Sequence, residues 1–155
     1  MTLAYYLDTS ALAKLYIQES GTDWMQQLLS RLLPQQVYLS HLAQVEMASA
    51  IARRQRMGSL SPANARKSLQ QFSADWSQRY TVVAVSSEII ERAYGLTIQH
   101  GLRAYDAMHL ASALTVRSAF ASLEGYALVF VSADQRLLQC AQQEGLRVEN
   151  PLNYF

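Results

Sequence analysis

The sequence predicts an α/β protein, a three-layer α/β/α sandwich around a central parallel sheet of four to five strands. Three observations carry this expectation. Short apolar or β-branched runs recur from one end of the chain to the other. Segments with helical apolar spacing separate them, and strands alternating with helices favour a parallel sheet covered on both faces. No internal repeat, low-complexity tract or Gly/Ser linker interrupts the pattern, so residues 1–155 are expected to form a single domain.

The first run, "LAYYL" (3–7), ends at Asp8 and reads as a buried strand. "SALAKLYI" begins a short helix, and "TDWMQQLLSRLL" a second one that Pro34 should stop. "VYLS" (37–40) is the next strand; Ser40 is suited to cap a helix over about 41–57 that Gly58 ends. Ser61 followed by Pro62 is a strong helix start. "TVVAV" (81–85) reads as a third strand, "SEIIERAYGLTIQ" as an amphipathic helix, and "RAYDAMHLASALTV" as another after Gly101. "YALVFV" (126–131) is six apolar residues followed by a turn, a buried strand. "DQRLLQCAQQEG" is a helix with Gly145 just past its end, and "LRVEN" before Pro151 is a last short strand.

Composition narrows the function. Half the residues are hydrophobic and 16% are charged, which supports a sizeable core and argues against disorder. No apolar run approaches the roughly 18 residues of a membrane span, and the N-terminal run has no basic flank and is broken by Asp8, so neither a membrane helix nor a signal peptide is expected. The single Cys140 excludes an internal disulfide and a zinc knuckle and reads as a buried, inert thiol. The cytoplasm is the expected compartment. A net charge of +1 neither favours nor excludes nucleic acid, but Arg53, Arg54 and Arg56 form a cluster suited to phosphate. Cations at a helix C-terminus are also favourable without any ligand.

The acids are more informative. Asp8 follows the first strand and Asp134 follows "YALVFVSA". Each precedes a helix and suits the N-cap position, which needs no function. Parallel sheets, however, bind ligands beyond the carboxyl ends of their strands, so two such acids can share one crevice. Glu46 lies in "HLAQVEMASAIA" among small and apolar residues, with Leu42, Ser49 and Ala50 on its face. Asp106 lies in the first turn of a helix that is apolar almost all round. The helix dipole there helps a carboxylate by about 0.3–1 kcal/mol. That is small beside the several kcal/mol of effective penalty for a desolvated ion. The two lysines, Lys14 and Lys67, are not beside these acids, and Arg103 is the one cation within reach of Asp106 on its own helix. The simplest compensation for four converging acids is a divalent cation. Oxygen-only donors suit Mg²⁺ or Mn²⁺, and such a site performs hydrolysis or phosphoryl transfer. His109 stands three residues after Asp106 and could share its face, but imidazole suits a hard-oxygen site poorly, so His109 is expected in the core or in support of the site.

The motifs "YYLDTSALAKLYIQE", "VEMASAIARR", "RAYDAMHLASAL" and "VFVSADQRLLQCAQQEGLRVENP" resemble, in order and spacing, the PIN-domain ribonucleases, and within them the VapC-like toxins of type II toxin–antitoxin pairs. The resemblance spans nearly the whole chain. It implies a PIN-like sandwich and a Mg²⁺- or Mn²⁺-dependent endoribonuclease in which Asp8, Glu46, Asp106 and Asp134 hold the metal and serve catalysis. It further implies support of the site by the hydroxyls of Thr9, Ser10 and Ser132, a homodimer, an RNA substrate and a small cognate antitoxin over the N-terminal helices. Two other functions stand beside it. One is a non-catalytic PIN-like protein that binds RNA or a partner. The other is a phosphatase-type phosphoryl-transfer domain using Asp8, which the Asp8-Thr9-Ser10 sequence disfavours because the second acid of an Asp-x-Asp motif is missing.

Overall fold

The computed structural model describes residues 1–154. Five parallel strands form the sheet: β1 (Thr2–Leu7), β2 (Val37–Ser40), β3 (Thr81–Val83), β4 (Tyr126–Val131) and β5 (Arg147–Glu149). Their order is β3-β2-β1-β4-β5, so the chain steps outward from β1 to β3 and then returns to lay β4 on the other side of β1. The reversal of strand order lies between β1 and β4, whose register pairs Leu7 with Val131 at their carboxyl ends.

The helices are α1 (Thr9–Leu12), α2 (Thr22–Ser30), α3 (Ala43–Arg56), α4 (Pro62–Gln78), α5 (Ser87–His100), α6 (Ala104–Phe120) and α7 (Gln135–Gln143). Side chains alternate across a strand, and the alternation divides the core in two. Ala4, Tyr6, Leu128 and Phe130 face α5, α6 and α7, where Ile89, Leu110 and Leu137 meet them. Leu7, Leu39, Val129 and Val131 face α1 to α4, packing on Leu12, Met25, Met47 and Phe72. This is the expected three-layer sandwich, and all five strands fall in the expected runs.

Several helices differ from expectation in their ends: the short first helix gives way to a 3-10 turn at Ala13–Leu15, and α4 runs past "SPANARKSLQQF" to Gln78. α2 stops at Ser30, and Pro34 instead opens a 3-10 turn that leads into β2. α3 begins two residues later than expected because Ser40 is still in the β2 ladder; its hydroxyl accepts from the Leu42 N–H at 3.1 Å across the intervening turn. α6 continues to Phe120, since nothing after Val116 interrupts helical spacing. Ser61 caps α4 as expected, accepting from the Asn64 N–H. Gly145 adopts φ 88° just past α7, where Leu146 N–H reaches back to the Ala141 carbonyl. Cys140 is buried.

α4 is tied to the N-terminal wall by a buried polar cluster. Tyr16 Oη donates to Asp75 Oδ2 at 2.8 Å and also meets the Tyr80 hydroxyl. Asp75 accepts from Gln71 and pairs with Arg79 at 3.6 Å. A buried donor left without its acceptor costs about 1–3 kcal/mol. Asp75→Ala should therefore lower unfolding free energy by roughly that amount, read as a lower urea midpoint at an unchanged denaturant slope.

Candidate active site at the strand-order reversal

Asp8 is fixed most firmly. It directly follows β1, is 4% exposed, and caps α1. Its Oδ1 accepts from Ser10 Oγ at 2.7 Å and from the Ala11 N–H at 3.0 Å, while Oδ2 accepts from Ser132 Oγ at 2.6 Å. The two serines are themselves oriented by the backbone after β4. Ala133 N–H donates to Ser10 Oγ at 2.9 Å, and Asp134 N–H donates to Ser132 Oγ at 3.0 Å. Each hydroxyl thus takes a proton from one side and gives one to the carboxylate. Burial still dominates, and it pushes the Asp8 carboxyl above its ordinary range against the nearby His109 and these hydrogen bonds.

Asp134 is exposed and caps α7 through Oδ1, which accepts from the Arg136 and Leu137 N–H groups. Both strand-end acids therefore do serve as N-caps. The capping role fixes their place at the reversal of strand order without using all of their lone pairs.

Asp106 lies in the first turn of α6 and is half-buried. Burial raises its carboxyl above the usual value, and the negative charges of Asp134 and Asp8 raise it further. His109 and Arg103 act in the opposite direction. Arg103, within reach of Asp106 by sequence, is the N-cap residue of α6 and forms no ion pair with it among the described residues; its charge still favours the Asp106 carboxylate.

Glu46 comes from the other layer, on α3. The small residues of this helix are not packed throughout: Ala43, Met47 and Ile51 make the buried stripe, whereas Ser49 is exposed and Ala50 only half-buried. Glu46 lies at the edge of that stripe and bonds His109, its Oε1 lying 2.7 Å from Nε2. His109 is buried. Its Nδ1 meets Tyr6 Oη at 2.8 Å, and Thr9 Oγ1 lies 3.3 Å from Nε2. Burial alone would lower the His109 pKa, but the Glu46 hydrogen bond and charge, with Asp8 and Asp106, raise it on balance. His109 is thus the partner of Glu46, not of Asp106. The sequence offered no sign of Tyr6, an apolar-run residue whose hydroxyl completes this chain.

Hydrogen bonds link most of the set: Ser132 Oγ joins Asp8 to the Asp134 N–H, and His109 Nε2 meets both Glu46 and Thr9, the neighbour of Asp8, while Asp106 stands three residues before His109 on α6. Among the described residues, no three His, Cys, Asp or Glu side chains converge closely enough to hold a metal ion as they stand. The donor chemistry nonetheless suits a hard divalent cation: the acids offer oxygen donors, and the Asp106 carboxyl is raised by the like charges of Asp134 and Asp8. The expected arginines lie farther along α3. Arg53 is seven residues from Glu46, about 10 Å along the helix, and is exposed, as is Arg56. Arg54 turns back to Glu19, with Nη2 at 2.6 Å, and Glu19 also holds the buried Lys14 at 3.2 Å.

A parallel sheet covered on both faces, with acids just past the carboxyl ends of β1 and β4 where strand order reverses, defines an α/β protein of the kind that binds ligands at that edge. Residues 5–142 match the family model described as PIN domain, and the chain belongs to that family. It is VapC-like. It is 28% identical over 109 residues to ribonuclease VapC3 of Pyrobaculum aerophilum, covering 69% of this chain and 79% of that protein. The crystal structure of FitAcB from Neisseria gonorrhoeae superposes with a TM-score of 0.68 at 15% identity, covering 97% of this chain and 99% of that one. A toxin–antitoxin complex from Klebsiella pneumoniae superposes with a TM-score of 0.55 at 20% identity, covering 80% and 96%. No helix is long and apolar enough to cross a membrane, among the described residues.

Replacing Asp106 by Asn removes a charge repelled by Asp8 and Asp134. A carboxyl whose folded pKa is raised contributes stability that is full below its unfolded pKa, about 3.9, and is lost as pH rises through the folded value. Asp106→Asn should therefore melt a few degrees higher than the wild type at pH 7 in chelator-treated buffer. The gap should close as pH falls toward 4, measured by thermal melts across that range.

Proposed function

We propose that the protein is a Mg²⁺- or Mn²⁺-dependent endoribonuclease and the toxin of a toxin–antitoxin pair that acts in the cytoplasm. The observation that carries this reading is the pair of acids at the strand-order reversal, Asp8 and Asp134, joined through Ser132, with His109 linking the residue after Asp8 to Glu46. The likeness to a ribonuclease over most of the chain supports it.

Asp8, Glu46, Asp106 and Asp134 would hold the cation. When bound, the cation would activate a water molecule and neutralise charge on the transferring phosphoryl group. The chain's own residues supply the rest. Ser10 and Ser132 hold the Asp8 carboxylate in one orientation. A carboxylate of the set accepts the proton of the attacking water, and the exposed Arg53 and Arg56 meet the RNA backbone beside the crevice. The antitoxin partner rests on VapC-like resemblance and on the toxin–antitoxin complex that shares the fold. Support for a homodimer comes from an exposed apolar stripe on α5, Ile90, Tyr94 and Ile98, spaced four residues apart.

A second reading, a non-catalytic RNA- or partner-binding protein, draws on the spacing of the acids, which form no closed cage among the described residues. Mn²⁺ titration with an RNA cleavage assay separates the two. On the nuclease reading, Mn²⁺ raises the wild-type melting temperature and permits cleavage. Asp8→Asn or Asp106→Asn, folded, should lose both the cleavage and the metal-dependent part of that rise. RNA binding by wild type without cleavage at saturating Mn²⁺ selects the second reading.

Salt dependence tests the grip. Removing two phosphate contacts by Arg53→Ala with Arg56→Ala should flatten the log–log salt slope of single-stranded RNA binding by roughly 1.4. Arg54→Ala should instead lower the melting temperature, because it strips Glu19 of a partner that helps hold Lys14.

A further inference from the structure

We infer that Tyr6 and His109 form a positioning relay that orients the Glu46 carboxylate toward the acidic crevice, and that His109 serves the reaction through Glu46 rather than touching substrate or metal. The inference rests on the nuclease reading and adds to it two residues that lie outside the four acids.

Glu46 and His109 belong to different layers of the sandwich. α3 packs on the face of the sheet that carries Leu7 and Val131, and α6 packs on the face that carries Tyr6 and Phe130. Their 2.7 Å contact therefore joins the two layers beyond the carboxyl edge of the sheet, beside Thr9, the residue after Asp8. Glu46 has this one hydrogen bond among the described residues. It engages Oε1 and leaves Oε2 without a hydrogen bond among the described residues. The rotamer of a half-buried glutamate would otherwise have nothing polar to fix it.

The relay also has a direction. A carboxylate only accepts, so Nε2 of His109 must carry the proton shared with Glu46. The Tyr6 hydroxyl is buried, and its burial holds it protonated far above neutral pH. With neutral His109, Tyr6 Oη donates to Nδ1 at 2.8 Å, which selects the tautomer with its proton on Nε2. Tyr6 is itself fixed by stacking on Phe130, with ring centroids 5.5 Å apart and planes 5° from parallel. A rigid element of the central strand thus sets the ring that sets the carboxylate. Thr9 Oγ1, 3.3 Å from the same Nε2, ties the relay to the residue after Asp8. Any buried histidine needs partners for its ring nitrogens; what marks His109 is that one partner is a carboxylate brought from the opposite layer.

Partners that orient a ligating or catalytic group change activity by about 10- to 100-fold when removed. The experiment measures kcat and KM for RNA cleavage, Mn²⁺ affinity by calorimetry and melting temperature. The variants are Glu46→Gln, His109→Leu, His109→Gln, Tyr6→Phe, and Glu46→Gln combined with His109→Leu. The expected result is that His109→Leu lowers kcat about 10- to 100-fold with KM nearly unchanged and weakens Mn²⁺ binding. His109→Gln, whose amide N–H can still reach Glu46, recovers part of that loss. Tyr6→Phe falls between His109→Gln and wild type. In the Glu46→Gln background, His109→Leu causes no further loss of kcat or of Mn²⁺ affinity, because its effect passes through Glu46. If His109→Leu does not fold, Tyr6→Phe and His109→Gln in the two backgrounds give the same comparison. The proposal is overturned if the Glu46 and His109 losses multiply, or if activity tracks melting temperature alone across the series. A wild type that binds no Mn²⁺ and cleaves no RNA overturns the nuclease reading and this relay with it. That result is distinct from a cleaving wild type with independent losses, which overturns the relay alone.

Discussion

A carboxylate buried at the carboxyl end of the central strand is the constraint around which this molecule is organised. Asp8 is 4% exposed, and an ion there is tolerated only if several donors face it. Those donors come from two distant parts of the sequence. Ser10 and Ala11 follow β1, and Ser132 follows β4, so the strands must lie side by side in register for Asp8 to be satisfied. The same hydrogen bonds that make the charge tolerable also lock β1 to β4 at the point where strand order reverses. The local hydrogen bonding of the site and the topology of the sheet are one arrangement.

The parts of this arrangement that depend on local pattern were legible in the sequence. "LAYYL" and "YALVFV" are apolar because both faces of β1 and β4 are covered, and an acid just past each run falls where parallel strands deliver their ligands. Ser61–Pro62 and Gly145 mark helix ends by chemistry that acts within a few residues. What was not legible depends on contacts across the chain. Asp106 and His109 are three residues apart and suggest a pair, yet His109 bonds a glutamate 63 positions away on the opposite layer. Helical spacing places two side chains on a common face; it does not say which neighbouring helix one of them meets. Tyr6 was hidden for a related reason. A tyrosine in an apolar strand contributes its ring to the core whether or not its hydroxyl has work to do. The Arg cluster shows the limit in reverse: three arginines alike in sequence divide into two exposed ones and one bonded to Glu19.

The acids are unequal, and the inequality follows from which elements carry them. Asp8 and Asp134 stand where strands run into helices, so backbone N–H groups are on hand and both cap a helix. Asp106 is already inside a helix, where the following amides are turned to their own carbonyl partners, and it has only the weaker field of the first turn. Glu46, a turn into α3, must borrow a donor from another layer. Donor supply therefore falls from Asp8 to Asp106, and Asp106 also feels the like charges of Asp134 and Asp8.

On the nuclease reading, that gradient separates two tasks within one crevice. A carboxylate saturated by hydroxyls and an amide cannot adjust without breaking bonds that hold β1 to β4, so Asp8 acts as the fixed point. Asp106, which has no hydrogen-bond donor among the described residues and feels two like charges, gains from any positive charge brought near it. Glu46 lies between these extremes, fixed at one oxygen by a ring that Tyr6 holds and free at the other. A crevice built from one rigid acid, one unbalanced acid and one aimed acid is preorganised and still responsive to charge. Four equally satisfied carboxylates would be more stable alone but would gain little from a cation.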